Sequence, residues 1–420
     1  MSFTSLGLSD FLIQAVNDLG YEQPTPIQLK AIPPILDGHD LLAAAETGSG
    51  KTAGFVLPIL EKMQDALPAR SNHANVLILV PTRELAVQVE EAVQQYSQQF
   101  PRKLKSLAVY GGVSINLQMQ AMRSGCDIVV ATPGRLIDLF KRNAIDLRAI
   151  HTLVLDEADR MLDLGFADEL DDILDELPQR RQNLLFSATF PQGVRALTQE
   201  ILVNPVEIEI KQEASIPEQL EQRAIEVDRH NRTMLLKHLI TTEKWSRVLI
   251  FVASKRTANN VILKLSRADI NAQALHGDLT QSERSSALAD FKSGRCKILV
   301  ATDLAARGID IPHMPCVLNY DLPRSPADYV HRIGRTGRAG EVGLALSFID
   351  HESDSHFKLI EKRIKQTVKR EQIEGFERDT IVPLEVREKK GQAPVKGKRK
   401  SKKDKLRAAE AAKKIWGTDK

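Results

Sequence analysis

The chain has 420 residues, 42% hydrophobic and 27% charged, with a formal net charge of +3, which fits a globular protein long enough for two cored domains. No apolar run approaches the roughly 20 residues of a membrane helix, Met1–Leu6 lacks a basic-then-apolar leader pattern, and Cys126, Cys296 and Cys316 are too scattered for a disulfide framework or a zinc site. The cysteines read as small core residues in a reducing compartment, so the expectation is a cytoplasmic protein with no membrane partner. The charge is uneven: residues 386–420 carry 14 Lys/Arg against 4 Asp/Glu, about +10, leaving about −7 for residues 1–385. Affinity of the globular part for a polyanion must therefore come from local patches.

Taken in order, Ser9–Leu19 is apolar at helical spacing, and Pro24 and Pro26 interrupt it before a second helix. Between them lies Gly20-Tyr21-Glu22-Gln23-Pro24-Thr25-Pro26-Ile27-Gln28. A glutamine amide pairs donor-to-acceptor with the N6 and N7 edge of adenine, so Gln28 would select ATP over GTP. An isolated glutamine is usually only solvated; its place shortly before the next motif gives it weight. That motif is Ala45-Glu46-Thr47-Gly48-Ser49-Gly50-Lys51-Thr52, between an apolar strand (Leu41–Ala44) and a helical stretch (Ala53–Leu60). Its glycines let backbone N–H groups wrap a phosphate chain, Lys51 reaches the outer phosphates and the Thr52 hydroxyl is placed for Mg²⁺.

Short β-rich runs follow at the spacing of βα units: Val76–Val80, Leu107–Tyr110, Asp127–Ala131, Thr152–Leu155 and Asn183–Phe186. Such runs suit a parallel sheet covered on both faces, with ligand residues in the loops at the strands' carboxyl ends. Those loops hold Pro81-Thr82-Arg83-Glu84-Leu85, Thr132-Pro133-Gly134-Arg135, Asp156-Glu157-Ala158-Asp159 and Ser187-Ala188-Thr189. Asp156 would complete a magnesium shell opposite Thr52, and Glu157 would orient or deprotonate the attacking water. Asp168–Glu176 reads as a solvated amphipathic helix rather than a metal site.

Asn204–Pro217 is polar and contains proline, the composition of a linker. A second series repeats the strand pattern at Val248–Val252, Ala272–Leu275, Lys297–Ala301, Cys316–Tyr320 and Gly343–Phe348, without a phosphate loop. It carries Asp303-Leu304-Ala305-Ala306-Arg307-Gly308-Ile309-Asp310 and His331-Arg332-Ile333-Gly334-Arg335-Thr336-Gly337-Arg338. If helical, Arg335 and Arg338 share a face with His331, and as fingers from the second domain they would reach the γ-phosphate only on domain closure. The lysine-rich end, Lys389–Lys414, reads as a disordered electrostatic arm for nucleic acid, or else as a solubilising tail.

With these motifs the chain resembles the DEAD-box RNA helicases over roughly residues 1–375, and its tail and layout resemble the bacterial RhlE-like subgroup. The resemblance implies an α/β chain of two tandem RecA-like parallel-sheet domains. The expected boundaries are 1–207, a linker at 208–218, a second domain at 219–375 and a basic tail at 376–420. It implies that Phe3 and Gln28 hold adenine, that Gln23 contributes to the same nucleotide site and that residues 45–52 hold phosphates. Thr52 and Asp156 would hold Mg²⁺, Glu157 the water, Asp310 the ribose, and Arg335 and Arg338 the γ-phosphate with His331 nearby. Ser187 and Thr189 would couple hydrolysis to RNA. RNA contacts are implied for Pro81, Thr82, Arg83, Gly111, Gly112, Thr132, Pro133, Gly134 and Arg135, and for Gln281, Arg284, Thr302 and Asp303. Aromatic residues are only 5% of the chain, with no base-stacking run, which suits backbone contacts and little sequence preference. The expected function is an ATP-dependent RNA helicase acting as a monomer, unwinding short duplexes or remodelling RNA–protein complexes, with ribosomal or RNA-decay partners through the tail. The alternative is an ATP-gated RNA clamp or assembly factor.

Overall fold

The computed structural model describes residues 2–45, 49–210, 220–306, 314–337 and 342–379. Within them, seven strands build a first sheet: β1 (Leu41–Ala44), β2 (Ala74–Leu79), β3 (Ser106–Val109), β4 (Cys126–Ala131), β5 (Thr152–Asp156), β6 (Gln182–Ser187) and β7 (Val206–Glu209). Seven more build a second: β8 (Leu220–Glu226), β9 (Val248–Val252), β10 (Ala272–Leu275), β11 (Ile298–Thr302), β12 (Cys316–Asn319), β13 (Gly343–Ile349) and β14 (Arg370–Glu371). The orders are β3-β4-β2-β5-β6-β1-β7 and β10-β11-β9-β12-β13-β8-β14. Every strand pair within the two sheets is parallel. The chain is α/β with two tandem RecA-like lobes, as the resemblance implies.

The helices of the first lobe are α1 (Asp10–Asp18), α2 (Pro26–Leu36), α3 (Lys51–Lys62), α4 (Arg83–Tyr96), α5 (Ile115–Met122), α6 (Pro133–Lys141), α7 (Ala158–Asp163), α8 (Ala167–Glu176) and α9 (Gln192–Ile201). Those of the second are α10 (Arg232–Glu243), α11 (Lys255–Ser266), α12 (Gln281–Lys292), α13 (Asp303–Ala306), α14 (Pro326–Ile333) and α15 (Asp354–Ile364). They cover both sheet faces, which is why the central strands are mostly apolar. On β2, Val76 and Ile78 enter one core cluster and Leu77 and Leu79 the other, the alternation of a pleated strand. Phe55 of α3 packs on Phe186 of β6 with ring centroids 5.2 Å apart, both fully buried. This contact seats the helix that follows the phosphate loop, and truncating either ring is worth about 3–5 kcal/mol.

Three strands depart from the pattern reading. β7 lies inside the stretch read as a linker and pairs with β1, Val206 opposite Leu41. β8 and β14 were not anticipated: polar side chains such as Arg223 interrupt their apolar pattern, and Arg223 is held by Glu243 and Glu371. α8 is the expected amphipathic helix, burying Leu170 and Ile173. The basic tail lies outside the described residues. Among the described residues, no helix is long and apolar enough to cross a membrane.

Candidate functional site

The nucleotide site grows from the turn between β1 and α3. Glu46, Thr47 and Gly48 lie outside the described residues; Ala45 donates its N–H to the Ser187 carbonyl at 3.0 Å, prolonging β1 beside β6. Gly50 has φ of 93°, and an added Cβ would stand 2.6 Å from Gln28 Nε2 and 2.8 Å from Thr25 Oγ1. The position therefore excludes a side chain on both conformational and steric grounds. Gln28 is buried; it accepts from the Thr25 N–H at 2.8 Å and donates to the Gly50 carbonyl at 3.1 Å. Its amide thus caps α2 and ties it to the phosphate loop, two of the four hydrogen bonds a glutamine can make.

Lys51 begins α3, is buried, and its Nζ lies 3.9 Å from Asp156 Oδ1 with no hydrogen-bond partner among the described residues. A buried ammonium so placed is a ready partner for phosphate oxygens. Asp156 ends β5; burial pushes its carboxyl up to about 6, with Lys51 pulling it down and Glu157 adding to the rise. Glu157 follows in the left-handed region at φ 54°, and its carboxylate accepts from Arg160 Nη1 at 2.9 Å. Lys51, Thr52, Asp156 and Glu157 line one cavity with Gln23, Gln28 and, from the second lobe, Arg335. Its other walls include Tyr21, Gln88 and Tyr96.

Asp159 joins this site to the turn after β6. It accepts from the Thr189 N–H at 3.0 Å and the Thr189 hydroxyl at 2.6 Å, while the Ser187 hydroxyl donates to the Thr189 carbonyl at 2.7 Å. Ser187 and Thr189 are therefore locked to the acidic loop and do not line the cavity.

A second, larger cleft of roughly 720 Å³ runs between the lobes, lined by Pro81, Thr82, Arg83, Gly111, Gly112, Thr132, Gly134, Arg135 and Arg284. The first turns of α4 and α6 meet here, so the partial positive charge of two helix N-termini faces an anionic guest. Lobe-to-lobe contacts close one side. Arg284 Nη2 lies 2.7 Å from Glu84 Oε1, both side chains only 8% exposed, and Arg83 Nη1 donates to Gln281 Oε1 at 3.4 Å.

The DEAD/DEAH box helicase profile matches residues 25–197, and that of the helicase conserved C-terminal domain residues 231–340. ATP-dependent RNA helicase CshA of Listeria monocytogenes is 41% identical over 364 residues, 87% of this chain and 69% of that protein. The chain belongs to the DEAD-box helicase family. ATP-dependent RNA helicase DeaD of Buchnera aphidicola is 42% identical over 370 residues, 88% of this chain and 60% of that protein. Among solved structures, S. cerevisiae Dbp5 bound to RNA and ADP BeF3 superimposes with a TM-score of 0.76 at 33% identity, covering 89% of this chain and 95% of that one.

Several residues of this DEAD-box chain sit elsewhere than the motif reading has them. Phe3 is 3% exposed, packed in the core with Leu6 and Leu8, and does not line the nucleotide cavity. A wholly apolar ring gains more from burial there, and the aromatic groups at the cavity are Tyr21 and Tyr96, hydroxyls 3.4 Å apart. α14 ends at Ile333 with Gly334 as its cap, so Arg335 stands in the turn beyond the helix and does not share a helical face with His331. His331, in the last turn, does not line the cavity. Asp303 is gripped by Arg332, at 2.5 and 2.6 Å, so its carboxylate is neutralised within the lobe rather than turned to a phosphate backbone. Arg135 donates to Gln118 Oε1 and the Val113 carbonyl, bracing the loop before α5 while lining the cleft. Pro133, Gln281 and Thr302 do not line the cleft. Arg338 and Asp310 lie outside the described residues.

Glu84, Arg160 and Arg332 hold positions in the site to which the motifs assign no role. Arg332 is 2% exposed, donates also to Asn319 Oδ1 and the Asp321 carbonyl, and lies over the Phe251 ring at 4.8 Å. Its position between His331 and Ile333 was visible; its partners, far away in sequence, were not.

Proposed function

We propose that this ATP-dependent RNA helicase turns over ATP only when its two lobes close on RNA. The reading rests on one observation: Lys51, Asp156 and Glu157 of the first lobe share a cavity with Arg335 of the second. In this scheme Lys51 binds the outer phosphates, Glu157 orients the attacking water and Arg335 stabilises charge on the transferred group, a contribution of roughly 10³–10⁵ in rate for such a finger. Asp159, holding Thr189, carries the state of the acidic loop to the turn after β6.

A buried carboxylate and a threonine hydroxyl lining one cavity are a donor set suited to a hard divalent cation, so Thr52 and Asp156 are the residues proposed to hold Mg²⁺. Bound there, the ion would neutralise phosphate charge. RNA is the polyanion for the interlobe cleft, held by helix N-termini and Arg83 through its backbone, with little sequence preference. The lobes are taken as residues 1–207, with β7 running on to Glu209, and 219–375, joined by 208–218 and followed by a basic tail that adds RNA affinity. Membership of the RhlE-like subgroup, a monomeric state, a cytoplasmic site of action and tail partners in ribosome assembly or RNA decay belong to the same proposal.

The test is RNA-stimulated ATP turnover and displacement of a short duplex by the full chain. Arg335→Ala is expected to abolish turnover and spare ATP binding; lost affinity with normal turnover contradicts the finger role. Glu157→Gln is expected to bind RNA and ATP while turnover falls to a small residual rate. A wild-type chain that holds RNA yet displaces no strand at any ATP level points instead to a clamp.

A further inference from the structure

Arg160 lies one turn beyond Glu157, on α7, and is 7% exposed. Its Nη1 donates to Glu157 Oε2 at 2.9 Å. Its Nη2 donates to the backbone carbonyl of Leu304, in the second lobe, at 3.0 Å. One planar guanidinium thus touches the water-orienting carboxylate with one prong and the opposite lobe with the other. A flexible ammonium does not reproduce that fork.

The acceptor in the second lobe is itself held. Leu304 follows Asp303, which is clamped by Arg332 of α14, and Arg332 is anchored to Asn319 Oδ1 and the Asp321 carbonyl. α14 leads directly into the turn bearing Arg335. Where the Leu304 carbonyl sits therefore depends on the seating of the same segment that presents Arg335. On the other side, Glu157 has a left-handed backbone, φ 54°, uncommon for glutamate and costly unless its surroundings enforce it. A buried guanidinium needs its acceptors. When the lobes part, Nη2 loses the Leu304 carbonyl, and the hold on Glu157 loosens with it.

We propose that Arg160 is a positioning residue that makes the orientation of Glu157 conditional on lobe closure. The inference rests on the reading of Glu157 as the group that orients water. It gives hydrolysis a second checkpoint besides arrival of Arg335: the first lobe's own carboxylate is aimed only when the second lobe is in place.

The experiment compares Arg160→Met and Arg160→Lys in the full chain, alone and combined with Glu157→Gln. ATP and RNA affinities are measured by titration, and turnover at saturating RNA gives kcat and KM for ATP. Both single variants are expected to keep wild-type affinities and KM while kcat falls about 10- to 100-fold, the scale of a slightly misplaced reacting group. Lysine keeps the charge but cannot span both acceptors, so it should not rescue; a merely structural cation would be rescued by it. In the Glu157→Gln background, Arg160→Met should add no further loss. Glu157→Gln reduced to a residual rate with Arg160→Met and Arg160→Lys at wild-type kcat overturns the proposal alone. Glu157→Gln turning over normally overturns the reading of Glu157 and the proposal with it. Full rescue by Arg160→Lys, or losses that add in the double variant, also overturns it.

Discussion

If lobe closure governs turnover, the Glu84–Arg284 pair should set how readily the lobes close. The two charges lie 2.7 Å apart, each 8% exposed, one on α4 and one on α12. Opposite charges at 4 Å attract by about 4 kcal/mol at an effective dielectric of 20, and desolvation of both groups cancels much of this. A net coupling of about 2 kcal/mol is reasonable against the ~1.5–7 kcal/mol measured for close interfacial pairs. That energy changes the closed-to-open ratio by roughly 30-fold. Glu84→Arg places two cations together, and Arg284→Glu two carboxylates; both should shift the chain toward the open form. The double swap restores opposite charges and should recover much of the closure.

The assay is energy transfer between dyes on the two lobes with RNA and a non-hydrolysable ATP analogue, alongside RNA-stimulated turnover. Arg284 also lines the cleft proposed for RNA, so Arg284→Glu should weaken RNA binding by itself, and the swap should restore closure at saturating RNA without restoring RNA affinity. A double variant no more closed than the worse single one, with coupling below about 0.5 kcal/mol, would refute the idea that this pair helps to hold the lobes together.

Gly50→Ala should cost about 1–3 kcal/mol through backbone strain and displace Gln28 and Thr25, so calorimetric titration should show weakened ATP binding; wild-type affinity would contradict the packing described. Burial raises the Asp350 carboxyl, but Arg232 and the Ser353 hydroxyl outweigh it and hold the group below its ordinary range. Its stabilisation is present above the unfolded carboxyl value near 3.9 and is lost as pH falls through the depressed folded one. Arg232→Met should therefore cost about 3–5 kcal/mol at pH 7, and urea denaturation should show the gap from wild type narrowing as pH falls below about 5; a constant gap would contradict this. Removing the residues after Val386 should weaken RNA affinity and flatten its salt dependence, since each cation placed on single-stranded phosphate contributes about 0.7 to the slope; an unchanged slope would make the tail a solubility device.

What the sequence disclosed and what it hid divide along a physical line. A strand covered on both faces carries a near-continuous apolar run, so β2, β4, β5 and β6 announce themselves; β8 does not, because Arg223 and Glu226 are satisfied by Glu243, Glu371 and Arg378. A loop that wraps phosphate must place glycine, lysine and threonine at fixed spacing, so Gly50, Lys51 and Thr52 are legible without coordinates. The groups that join the lobes obey no such local rule. Glu84 meets a residue 200 positions later, and Arg160 meets a carbonyl 144 positions later. A glutamate or arginine at a helix start looks like any solvated charge until its partner is known. Chemistry confined to one lobe must be written in contiguous motifs, whereas the condition that switches it on is written in pairs split between lobes. In a two-lobed ATPase of this kind, contiguous motifs thus disclose the reaction before the control, and charges to which no motif assigns a role, Glu84 and Arg160 here, are where control should be sought.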